Sequence, residues 1–144
     1  MNDLIDALVA LLEPDPSDRP TIDGSCAPPI EYEPNTLYAY PSGREFHTPE
    51  GPPCERVDFE VTVLYLAPDD GELDEKQRDR AVSDAMADKA EDYMAVINAN
   101  RSQGPNHEPR PWLHLVGAID YDRIHALQVR GIAIIVSGYY MVGP

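Results

Sequence analysis

Three side chains with metal-binding chemistry, Cys26, His47 and Cys54, fall in one proline-rich stretch and could in principle converge on zinc. Intervals of 21 and 7 residues match no familiar ligand spacing, and a fourth ligand is not evident. Asp120 and Asp122 are two apart, so on an extended segment they would point to one side and could hold a divalent cation, with His125 close behind. The same pair sits where a turn joins two strands, and there aspartate is favoured for bonding to its own backbone. Asp69-Asp70-Gly71 reads as a turn and helix cap and lacks the other ligands of a calcium loop. The glycines form neither GxGxxG nor GxxxxGK(S/T), and there is no GxSxG elbow or HExxH pair. Buried carboxylate pairs can serve as acid and base, but the carboxylates of the long helix described below lie opposite its apolar stripe. We therefore expect no catalytic, cofactor-binding or metal-binding residues, and a protein that is not an enzyme.

Charge narrows the partners. The chain of 144 residues carries 26 acidic against 11 basic side chains, a net charge of −15. Phosphate binding is driven by clustered Lys and Arg, so a nucleic-acid grip or adhesion to an anionic membrane is disfavoured. An acidic surface suits keeping copies apart, or lining a passage that DNA traverses without sticking. Asp3 and Asp6 stand where a signal peptide needs positive charge, and the apolar run from Ala7 to Leu12 is too short to span a bilayer. The expected compartment is a cytoplasm. There Cys26 and Cys54 read as two reduced thiols, with a single bridge as the other option.

The elements follow from periodicity. Leu4, Ile5, Leu8, Leu11 and Leu12 share one helical face, which predicts a helix from about Asp3 to Glu13, stopped by Pro14 and Pro16. Ten of the fifteen prolines lie between Pro14 and Pro53, which predicts a linker holding one short strand, Thr36 to Tyr40. After it we expect a long loop from Ser42 to Cys54, ordered by a partner. Arg56 to Leu66 alternates as a strand, with Val57, Phe59, Val61, Val63 and Tyr65 on one face. A long helix then opens near Asp74, whose side chain with Gln77 makes a capping box, and ends before Gly104-Pro105. Val82, Met86, Ala90, Tyr93 and Ile97 fall within about 80° of arc, leaving Asp79, Asp84, Asp88, Glu91 and Asp92 largely outside it.

Two closing strands are predicted, Trp112 to Tyr121 and Leu127 to Val142. The second is apolar on both faces: Ile132, Ile134, Val136 and Tyr140 on one, Ala133, Ile135, Tyr139 and Met141 on the other. Such a strand needs cover on both sides. The fold class is α+β in one domain, a mostly antiparallel sheet with one long helix packed across it, plus the N-terminal helix and the Pro-rich linker.

The order of these elements resembles tail terminator, or tail completion, proteins of long-tailed bacteriophages. The resemblance lies in a small acidic chain opening on LIDALVALL, the long strand VDFEVTVLYL, the helix DRAVSDAMADKAEDYMAVINA, and the closing strands WLHLVGAIDY and LQVRGIAIIVSGYY. It implies a structural virion protein of the tail and neck region, made in the host cytoplasm. Its partners would be itself, as a homo-hexameric ring, the tail tube protein and the head-neck connector, with DNA passing through unbound. A head-closure or connector ring protein is a related reading, and a small soluble enzyme or ligand-binding domain is one from a different class. The candidate subunit interface comprises Ala133, Ile135, Tyr139 and Met141 on the second face of the last strand, with Phe46 and His47 from the long loop.

Overall fold

The structure, a computed structural model, describes residues 2–15, 20–23, 31–42, 46–49, 55–67, 75–102, 111–121 and 131–142, without the side chains of Asn2, Phe46 and 75–83. Eight elements follow in chain order: α1 (Asn2–Leu12), β1 (Thr21–Asp23), β2 (Thr36–Pro41), β3 (Phe46–Pro49), β4 (Glu55–Leu66), α2 (Glu75–Ala99), β5 (His114–Ile119) and β6 (Gly131–Val142). The strands form one six-stranded sheet in the order β1-β2-β4-β6-β5, with β3 pairing β4 beside β2. Every pairing but β1–β2 is antiparallel. The class is α+β.

Alternation along β4 and β6 sorts the side chains into two faces. Phe59, Val61, Val63 and Tyr65 of β4 and Ile132, Ile134 and Val136 of β6 join one buried cluster with the apolar sides of both helices. From α1 come Leu4, Ile5, Leu8 and Leu12; from α2 come Met86, Ala90, Tyr93 and Ile97. These are the helical stripes read from spacing, apart from Leu11, which is only partly buried against the cluster, and Val82, whose side chain lies outside the described residues. The helix layer differs from the expectation of one long helix across the sheet, because α1 shares the same cluster. A second, smaller cluster sits on the opposite face: Tyr38 and Tyr40 of β2, Leu64 and Leu66 of β4, and Ala133 of β6. Tyr32 packs on it, its ring edge-on to Tyr38 at 6.0 Å. The Tyr38 hydroxyl accepts from the Glu33 N–H at 2.9 Å, holding that segment over the face.

The Pro-rich linker is corrected: the stretch carries three strands. Prolines fall at the end of β2 and β3 or between strands, where a missing N–H interrupts no ladder. Asn35, the described non-glycine residue at positive φ (51°), makes the corner before β2. Its N–H donates to Ala67 and its carbonyl accepts from Thr21, so one residue ties β1 and the end of β4 to β2. The expected loop from Ser42 to Cys54 contains β3, paired from Phe46–Asp58 to Pro49–Glu55. β5 is shorter than Trp112 to Tyr121, because Trp112 turns inward: its side chain is buried, and its indole N–H donates to the Asn100 carbonyl at 3.0 Å. The capping pair of Asp74 and the turn at 68–71 lie outside the described residues, as do 127–130.

Candidate functional site

The face without helices becomes barer from β2 towards β5. Ala133 is fully buried in the second cluster, whereas Ile135, opposite Thr62 and Ala118, is half-buried. Further along, Met141 is 40% exposed, and on β5 Val116 is 37% exposed. Of the sequence-predicted interface residues, the alternation therefore places Ala133, Ile135, Tyr139 and Met141 on one face, with Ala133 already covered by its own chain. Phe46 pairs with Asp58 and His47 with Val57, so His47 belongs to the other face by register. There it pairs ionically with Glu55, and both side chains are exposed.

Tyr139 is the centre of the polar part of this face. Directly across from it stand Asp58 on β4 and His114 on β5. The Arg56 guanidinium lies 3.9 Å from the centroid of the Tyr139 ring, and the His114 ring stacks on Tyr139 at 5.9 Å and 26°. Arg56 also donates to Asp58 Oδ1 from Nε at 3.2 Å and Nη2 at 3.0 Å. With Ser137, Phe59 and Gly138 these side chains border an open cleft of about 510 Å³. Its cation is held by a carboxylate and a ring, an arrangement that keeps flat groups upright across three strands. The ladder presents a shaped surface. Sequence reading named Tyr139 alone, although Arg56 and Asp58 share a parity on β4 that was legible from their spacing of two.

A second polar group is buried between the helices. Glu13, 6% exposed at the end of α1, pairs with Lys89 of α2 and accepts a hydrogen bond from the Tyr93 hydroxyl at 2.5 Å. Lys89 Nζ also lies over the rings of Tyr65 and Tyr93, at 5.1 and 5.0 Å from their centroids. Burial pushes the Tyr93 hydroxyl far above its ordinary range, and the bond to Glu13 and its charge add to that. The phenol is thus held protonated, as the donor that satisfies a buried carboxylate. This cluster was missed, and its signal was Lys89, which borders the apolar stripe next to Val82 and Tyr93.

Asp84, Asp88, Glu91 and Asp92 are exposed on α2, while the side chain of Asp79 is outside the described residues. Converting Asp84 and Asp88 to Asn is expected to change stability by less than about 0.5 kcal/mol, checked by urea unfolding with and without EDTA. Cys26, Cys54, Asp122 and His125 lie outside the described residues, as does Asp69-Asp70-Gly71. Asp120 extends the sheet, its N–H donating to the Ala133 carbonyl at 2.8 Å. Among the described residues no three His, Cys, Asp or Glu come together as a metal site, and no helix is long and apolar enough to cross a membrane. No protein-family model matches the chain, and no curated protein matches it.

Proposed function

We propose that the protein is a non-catalytic structural subunit that closes a homo-hexameric ring on the tail tube of a long-tailed phage and joins it to the head-neck connector. The observation that carries this reading is the half-covered apolar face: Ile135, Val116 and Met141 continue a buried cluster into solvent, leaving a surface suited to a protein neighbour. The order of elements adds the family resemblance. Fifteen net negative charges per chain suit a lumen through which DNA phosphates pass without binding. In this reading the mature protein resides in the virion, after synthesis in the host cytoplasm.

Light scattering on the purified chain, alone and with tail tubes, tests it. Ile135→Asp is expected to abolish the multimer while costing the single chain only about 1 kcal/mol, because the residue is half-buried on the face away from the helices. Circular dichroism separates that outcome from unfolding. Normal assembly of Ile135→Asp would remove this face from the interface. The cleft at Arg56, Tyr139 and His114 favours one other reading, a ligand-binding domain. A monomer that gains thermal stability from a small ligand would support it against the ring.

A further inference from the structure

β1 and β5 stand at the two ends of the strand order β1-β2-β4-β6-β5. β1 runs with β2, and direction reverses at each step from β2 to β4, β6 and β5, so β5 runs opposite to β1. A second copy set alongside in the same orientation therefore brings its β1 antiparallel to β5.

The β5 edge is equipped to accept it. The Asp120 N–H bonds inward to Ala133, and the Leu115 N–H bonds outward to the Arg101 carbonyl at 2.7 Å. Alternation of the antiparallel ladder then turns the peptide groups of Gly117 and Ile119 outward. Among the described residues no backbone hydrogen bond outside the β6 ladder reaches them. The strand HLVGAI contains neither lysine nor proline, the usual devices that blunt an edge. Val116 and Tyr121, 37% and 69% exposed, flank this same edge. β1 is a short strand of three residues with Thr21 and Asp23 exposed, matching the short length left free beyond Leu115.

Charge decides the orientation. Arg101 is exposed at the β5 end where its carbonyl caps the edge, and Asp23 is the last residue of β1. An antiparallel arrival carries Asp23 towards Arg101. A two-fold pairing of β5 with itself would bring no acidic partner from β1. We propose that β5 of one copy takes β1 of a second copy head to tail, with Asp23 of the second copy beside Arg101. This rests on the ring reading and adds to the face at Ile135 an edge contact between neighbouring copies.

Arg101→Asp and Asp23→Arg test it, each checked for native fold by circular dichroism. Each variant alone places like charges at every junction and is expected to raise the concentration for half-assembly about tenfold or more. An equimolar mixture restores an opposite-charge pair at every junction of an alternating ring, so the wild-type mass should return in light scattering. Folded single variants that assemble like wild type would overturn the junction while leaving the ring standing, as would a mixture that stays dissociated. A wild-type chain that remains monomeric at every concentration and on tail tubes would overturn both.

Discussion

Lys89→Ala is expected to lower stability by roughly 3 kcal/mol, a fall in thermal midpoint of about 10 °C for a domain of this size. Removing the lysine leaves the Glu13 carboxylate, with its side chain 8% exposed, holding the Tyr93 hydroxyl but without the counter-ion that Lys89 supplied. The Lys89 side chain is 28% exposed, which places the effect at the low end of the range for a broken buried pair. Combining Lys89→Met with Glu13→Gln should recover most of the loss, since neither new group carries a charge into the interior. Tyr93→Phe is expected to cost about 2 kcal/mol, because a buried acceptor loses a charge-assisted bond. It should also alter the alkaline limb. An unfolded tyrosine ionises near 10, whereas folded Tyr93 keeps its proton far above that, so wild-type stability falls as pH rises past about 10. Without the Tyr93 hydroxyl that decline becomes shallower, while Tyr65, also raised by burial, still contributes to it. Denaturant unfolding from pH 7 to 11 measures both effects.

Gly138→Ala should be more damaging than its size implies. A Cβ at this position would stand 1.9 Å from the His114 carbonyl oxygen, which is backbone of the neighbouring strand and cannot rotate away. β5 has to separate from β6, breaking the ladder that holds Leu115 in the core. The expected cost is about 3 kcal/mol or more. Gly117→Ala is the control: its Cβ would meet Met94 Sδ at 3.1 Å and Ile97 Cδ1 at 3.2 Å, both ends of flexible side chains. That change should cost about 1 kcal/mol. Similar urea midpoints for the two variants would contradict the close approach of β5 to β6.

What the sequence made legible was periodic. The stripes of α1 and α2 and the alternation of β4 and β6 each repeat often enough to assign an element and its buried face. β1 and β3 were illegible because three or four residues among prolines show no repeat; they are strands through their neighbours, β2 and β4, which offer open ladders. The ladder at Tyr139 depends on register between strands far apart in the chain, which local patterns do not carry. Glu13 was hidden for a related reason: its partners come from α2, across the whole of β1 to β4, and a carboxylate beside Pro14 reads locally as a solvated helix end.

The placement of β6 has a kinetic consequence. It lies between β4 and β5, although both are synthesised before it. Until β6 emerges from the ribosome, β4 lacks a partner along one full edge and β5 has no strand to join. The nascent chain then displays two bare edges at once, the condition that recruits chaperones or invites mispairing. Insertion of β6 closes both edges in one step: its pairing with β5 is local, but its pairing with β4 joins residues far apart in sequence and forms slowly. Refolding should accordingly be slow and cooperative, with the pairs of β4 with β6 and of β5 with β6 gaining hydrogen-exchange protection at the same rate.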